Sequence, residues 1–341
     1  MNRNEGIDPS GLTPLRKLSR REFVGKLSAA AGGAGLLTAA FTGCALTPSQ
    51  KAEATEAVLD TIGKVPKVKL NKRLGGFEAS RVVICQDSPL DLLGPSLAAG
   101  MNTIHKGGYW LKSQTPEEIL KLPRESLFID TTVDNTPRNP DDEEAAYNQV
   151  TRELEKTGLK YFDVFRAHFG WHTLAQFNKG ENASYRAFTR LKKEGKVKYF
   201  GVSQHAGPRE DYETYMTMIQ AEIDSGLIDT MQVWLSYATT PEELAVFEKA
   251  HKAGISITAM KVNAHGASKL AQNDARIKEL KSEGMVHRAA LRHVYDLKGA
   301  DGKPYVDMCV TRVGNFAHFE ENVGSVAAKV AMADGFNPYV V

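Results

Sequence analysis

Eight short apolar runs, separated by stretches of helical periodicity, constrain this chain more than any other feature. The runs fall at residues 81–86, 101–105, 127–133, 162–168, 197–203, 230–234, 255–261 and 306–311. They are rich in β-branched and aromatic residues and bounded by Gly, Asp or Pro, which is the signature of buried strands. Helical patterns fill 141–157, 185–194, 209–224 and 241–253. The first of these has an acidic start (Asp141, Asp142, Glu143, Glu144) and a basic end (Lys156), as a helix dipole favours. Eight strands alternating with helices predict an α/β fold, a single-domain (β/α)8 TIM barrel over residues 65–341. An open doubly wound sheet is the competing architecture. It carries a Gly-rich dinucleotide loop after its first strand, and the segment from Cys85 to Pro89 has none.

The amino terminus reads as a targeting segment. Arg20 and Arg21, followed by Phe23 and a weakly apolar run of small residues from 27 to 41, form a twin-arginine export signal. That run is too short and too rich in Gly and Ala for a membrane span. Residues 1–44 are therefore expected to be a leader handled by the twin-arginine translocase, giving an exported, periplasmic or envelope-anchored protein. Phe41, Thr42, Gly43 and Cys44 resemble a lipobox, so two outcomes stay open: lipidation of Cys44 or plain cleavage by signal peptidase. A single lipid would give a peripheral protein. Residues 45–64, polar and Ala-rich, read as a linker or loose helix.

The chain carries a net charge of only +2, and the leader alone carries six basic against three acidic residues, so the rest is near −1 and no basic surplus points to nucleic acid. After Cys44 only Cys85 and Cys309 remain, which supply neither a disulfide framework nor an iron–sulfur motif. They fall on the first and last strands and are expected to be neighbouring buried thiols.

In a TIM barrel the chemistry sits at the carboxyl ends of the strands. Those ends present His105, Thr132, His168, Ser203, Gln204, His205, Gln232, Trp234, Lys261 and Arg312, a polar cluster that argues for a ligand site. Several segments carry a more specific signal. They are 100–105 (GMNTIH), 161–168 (YFDVFRAH), 191–204 (LKKEGKVKYFGVSQ), Met231 with Gln232, 250–261 (AHKAGISITAMK) and 319–322 (FEEN). In this order they resemble the aldo-keto reductases from about residue 68 to 322.

The resemblance implies hydride transfer between NADP(H) and a small carbonyl, alcohol or sugar-like substrate. In that family a Tyr acts as general acid, a Lys–Asp pair activates it, and a His polarises the carbonyl. His168 matches the family His. The Asp position falls on His105, the Lys position on Thr132, and Tyr109 lies near the family Tyr. A Tyr is a poor acid at neutral pH without a neighbouring cation, and His105 can take over part of its task. On the cofactor side the resemblance places Ser203, Gln204 and Gln232 against the nicotinamide carboxamide. Met260 falls where a Tyr stacks on the ring, with Lys261 beside it. Arg312, His318 and Asn322 fall at the adenosine phosphate end. No iron–sulfur cluster is expected.

Two other readings remain at this level. One is a non-catalytic barrel that binds a dinucleotide or sugar-like ligand. The other is a metal-dependent enzyme in which His105, His168, His205 and Asp130 converge on a divalent ion.

Overall fold

The computed structural model describes residues 47–85, 88–106, 115–134, 142–168, 182–204, 212–236, 239–262 and 286–326. The expected leader, Tyr109 and His205 lie outside the described residues.

All eight expected barrel strands are present, preceded by a small hairpin. The hairpin strands are β1 (Lys67–Lys69) and β2 (Glu78–Ser80), paired antiparallel. The barrel comprises β3 (Val82–Cys85), β4 (Thr103–Lys106), β5 (Phe128–Asp134), β6 (Phe162–His168) and β7 (Val197–Gln204). It is completed by β8 (Thr230–Trp234), β9 (Ser256–Met260) and β10 (Met308–Thr311). Each strand pairs in parallel with the next, and β10 closes on β3 through Cys309 opposite Val82 and Thr311 opposite Ile84. The open doubly wound alternative is thereby excluded.

Helices cover the outside: α1 (Pro48–Ile62), α2 (Leu93–Ala98), α3 (Glu117–Leu120), α4 (Glu143–Thr157) and α5 (Ala183–Lys193). The series continues with α6 (Tyr212–Ser225), α7 (Pro241–Lys252), α8 (Val286–Asp296) and α9 (Phe316–Val326). Their starts are written in the sequence. Asp142 caps α4 by accepting from the Ala145 amide, and Gly158 ends that helix in the left-handed conformation. Thr240 and Glu243 form a reciprocal capping box on α7, with Pro241 at its first turn. Among the described residues no helix is long and apolar enough to cross a membrane.

The stretch 45–64 corrects an expectation, because it is no linker over most of its length. Thr47 and Gln50 make a capping box that starts α1. Ala54, Val58 and Ile62, four residues apart on one face, are buried in the main core. The helix packs against α2 and α9, so it belongs to the domain.

Two apolar cores result. The larger lies between the barrel and the helices. The smaller fills the amino-terminal end of the barrel, where Leu70, Leu74 and Ala79 of the hairpin region meet Val83, Phe128, Val164 and Met308. Gly75, at φ +69°, sits where a Cβ would come within 2.5 Å of the Tyr199 hydroxyl, so only glycine allows this approach. The hairpin is thus a plug for the bottom of the barrel. Cys85 and Cys309 are buried and unbridged, as expected. They belong to neighbouring strands but to different ladder rows, Cys85 opposite His105 and Cys309 opposite Val82. Burial pushes the Cys309 thiol up to about 12, so it is inert.

Candidate active site

Strand register assembles the site. Residues laddered across neighbouring parallel strands face the same side. On the inside this gives one row of His168, Ser203, Gln232 and Thr258, on β6 to β9. A second row contains Thr132, Arg166, Gly201 and Thr230. His105 on β4 stands opposite Asp130 on β5, two residues before Thr132 on the same inward face.

The upper row is polar and incompletely paired. Ser203 and Gln232 are buried, and His168 is half-buried. Gln232 donates from Nε2 to Met260 Sδ at 3.5 Å, a weak acceptor, while its Oε1 has no partner among the described residues. The hydroxyls of Thr258 and Thr132 are likewise buried without a partner. Buried polar groups are ordinarily satisfied, so an amide oxygen and two hydroxyls facing the inside of one barrel mark a place completed by ligand or water.

The deeper part of the mouth holds a charged relay. His105 Nδ1 lies 2.8 Å from Asp130 Oδ1, and both residues are buried. Asp130 Oδ2 accepts from Arg166 Nε and Nη2, each at 3.1 Å. Arg166 is almost wholly enclosed and also donates from Nη1 to the Val202 carbonyl at 3.1 Å. Burial pushes the Arg166 guanidinium below its ordinary value, and the neighbouring Asp130 charge opposes that shift. Space for this chemistry depends on Gly201, the ladder partner of Arg166. A Cβ there would sit 2.8 Å from Thr230 Cγ2 and 3.1 Å from Val164 Cγ1.

Three sequence expectations need correction. Gln204 does not face the barrel interior. It is laddered with Val233, on the outward side, and its Nε2 donates at 2.6 Å to Glu222 on α6. The strand's two-residue period decides this, because Ser203 and its neighbour must point to opposite faces. Asp130 is not available to a metal, since both its oxygens already serve His105 and Arg166. Among the described residues no group of three metal-ligating side chains converges. Finally, Thr132 does not leave the mouth without a cation: Arg166 supplies one from the adjacent strand, at the position laddered with Thr132. The signal was available, because Arg166 is a charge set inside the apolar run 162–168.

The remaining expected residues lie at the rim. Lys261 leaves β9 in a left-handed conformation (φ +55°), with Nζ 5.9 Å from the centroid of the Trp234 ring. Partial burial lowers its pKa. Arg312 and His318 are exposed around the start of α9. There Asn315 caps the helix by accepting from the His318 amide, and His318 Nδ1 accepts from the Gly314 amide. Asn322, one turn further along α9, accepts from Thr311 with Oδ1 at 3.4 Å and leaves Nδ2 buried without a partner.

Glu222 is a further buried acid, set between β7 and α6, that the sequence does not single out. Its Oε2 has no partner, and burial raises its pKa to about 8, only partly offset by the Gln204 hydrogen bond.

Known proteins support the fold assignment. The chain is similar to the holo form of an aldo-keto reductase from Bacillus halodurans, at 17% identity and a TM-score of 0.58, covering 79% of this chain and 93% of that one. It is also similar to an aldo-keto reductase from Klebsiella pneumoniae in complex with NADPH, at 15% identity and a TM-score of 0.54, covering 79% and 91%. A thermostable aldo-keto reductase, Tm1743, bound to the inhibitor epalrestat gives 17% identity and a TM-score of 0.55, covering 79% and 96%. No curated protein matches the sequence. The family model described as Aldo/keto reductase family matches residues 86–330, which takes in every barrel strand after the first. With the closed barrel and the His168 row, that match means the chain belongs to the aldo/keto reductase family.

Proposed function

We propose that this protein is an NADP(H)-dependent oxidoreductase acting on a small carbonyl or alcohol substrate, with an altered acid–base set. The observation that carries the reading is the incomplete polar row beside His168. Ser203 and the unpaired Gln232 Oε1 suit a carboxamide, which needs both a donor and an acceptor. At the far end, Arg312, His318 and the unpaired Asn322 Nδ2 suit phosphate oxygens at the start of α9. Gln204 takes no part, being committed to Glu222. NADP(H), when bound, supplies or accepts the hydride. His168 orients the substrate oxygen, and His105 gives or takes the proton. The leader is read as a twin-arginine signal, which carries proteins already folded and so accommodates a cofactor retained from the cytoplasm.

The replacement of the family Lys by Thr132 favours one second reading, a barrel that binds the dinucleotide without turning over. One experiment separates the two. Protein purified folded from an exporting host is denatured, released nucleotides are identified by mass spectrometry, and single-turnover reduction of a carbonyl panel is followed by NADPH absorbance. Stoichiometric NADP(H) with turnover is expected. Nucleotide without turnover means a binding barrel, and no nucleotide with no NADPH binding by the empty protein overturns both.

A further inference from the structure

We infer that Asp130 and Arg166 are positioning residues that fix His105 as the proton donor, replacing the ion pair this family draws from other strand positions. The inference rests on the oxidoreductase reading and extends it to how the proton is held. Three departures from the expected site residues are physically one unit. His105 stands where an Asp is expected, Thr132 where a Lys is expected, and the displaced charges reappear on the adjoining strands, the carboxylate on β5 and the cation on β6.

The chemistry follows from donor and acceptor counting. Arg166 can only donate, and it holds Asp130 Oδ2 through two nitrogens. Asp130 therefore sits as a carboxylate, and its Oδ1 can only accept. The His105 nitrogen 2.8 Å away must then carry a proton, which assigns the neutral imidazole to the Nδ1–H tautomer. Nε2 is left as the working nitrogen. In reduction, the imidazolium passes its Nε2 proton to the carbonyl oxygen, while the electron pair and the hydrogen bound for carbon come from the reduced nicotinamide. In oxidation, Nε2 takes the proton back from the alcohol. The titratable and charged groups facing His105 are Asp130 on β5, Cys85 on β3 and, through Asp130, Arg166 on β6.

Arg166 also makes the arrangement testable, because it dictates how a neutral replacement at 130 must turn. In Asp130→Asn the guanidinium still demands an oxygen, so the new amide presents its carbonyl to Arg166 and its NH2 to His105. An NH2 there can only donate, which forces the proton from Nδ1 to Nε2. In the double variant Asp130→Asn/Arg166→Met that demand is gone, and the amide is free to offer its oxygen to His105 again.

The measurement is the 15N chemical shifts of the neutral His105 imidazole in protein labelled at histidine, assigned by loss of the signal in His105→Gln. The parent protein is expected to show Nδ1–H, D130N to show Nε2–H, and the double variant to return to Nδ1–H. In D130N, kcat is expected to fall about 10³–10⁴-fold with KM nearly unchanged, the scale of a wrong-tautomer histidine in a catalytic triad. NADPH binding, followed by fluorescence, should be unaltered. A parent protein with Nε2–H or a mixture of tautomers, or a D130N variant that keeps the parental tautomer, would overturn the assignment. Absence of NADPH binding to the parent protein would instead remove the oxidoreductase reading, and the role of proton donor with it, whatever the tautomer.

Discussion

The two ends of this barrel use the same residue types to opposite purposes. At the bottom, Ser80, Asn102 and Thr103 form a closed network. Asn102 Oδ1 accepts from the Ser80 amide at 2.7 Å, and its Nδ2 donates to the carbonyls of Glu78 and Ser126. Ser80 and Thr103 share a hydroxyl contact at 2.7 Å. Asp163 nearby receives Arg124 at 2.6 Å, Lys198 at 3.0 Å and the Ile129 amide at 2.9 Å. At the mouth, Thr132, Gln232 and Thr258 each keep a buried polar atom without a partner among the described residues. The bottom spends its polar groups on holding the fold. The mouth leaves them available, which lowers stability and is the ordinary condition of a site.

The contrast is tested most severely at one buried carboxylate from each end. Removing Asp130 as Asp130→Leu strands Arg166, which is 1% exposed and keeps the Val202 carbonyl alone of its described partners. The expected loss is about 3–5 kcal/mol, measured by urea unfolding. Asp130→Leu/Arg166→Met should recover most of it, since two apolar groups replace a pair whose desolvation was costly. At the bottom, Asp163→Asn should cost less, about 1–3 kcal/mol, because Lys198 is 43% exposed and returns to solvent. Equal losses at the two sites would mean that the mouth's ion pair is no more enclosed than the one below it.

Glu222 gives a smaller effect confined to a pH window. Its folded pKa of about 8 exceeds the ordinary 4.5, so the folded state holds a proton that the unfolded chain gives up. The sign follows: its contribution is intact below about pH 4.5 and is lost as pH rises towards 8. Glu222→Gln keeps the shape of the neutral acid and cannot ionise. Variant and parent should unfold at similar urea concentrations at pH 5. At pH 8 the variant should be the more stable, on the order of a few kcal/mol. Parallel stability curves across this range would show that Glu222 reaches water in the folded state.

Much of this molecule is legible in its residues, and the limits are equally physical. Strand positions were readable because both faces of each strand are buried, giving short β-branched runs with clear ends. Helix α1 reads in the sequence only as a linker or loose helix, because its buried stripe of Ala54, Val58 and Ile62 is thin, so burial, not composition, places it in the domain. Position in the sequence locates residues at strand ends, but the direction of a side chain turns on a single residue of register, which separates Ser203 from Gln204. The link among His105, Asp130 and Arg166 could not be read at all, since it joins three strands across 61 positions of sequence. Only barrel closure brings them together.

The smallest effect is the sharpest form of the comparison, because one substitution should change sign between the two ends. Thr103→Val at the bottom deletes a hydroxyl bonded to Ser80 and to the carbonyls of Ser80 and Val82. Ser80 Oγ keeps the Val82 carbonyl and the Asn102 and Thr103 amides, so the loss is that of the hydroxyl's own bonds and should destabilise by about 1 kcal/mol. Thr258→Val at the mouth deletes a hydroxyl with no partner to lose. Replacing that group by a methyl of similar volume removes a desolvation cost, so the unliganded protein should gain up to about 1 kcal/mol in urea unfolding. If the same hydroxyl meets a ligand, NADPH affinity should fall in that variant by up to about tenfold, the equivalent of roughly 1.4 kcal/mol. A gain in stability coupled to a loss in affinity would identify Thr258 as part of the site. A loss in both would mean that the hydroxyl is satisfied by buried water and belongs with the bottom's structural network.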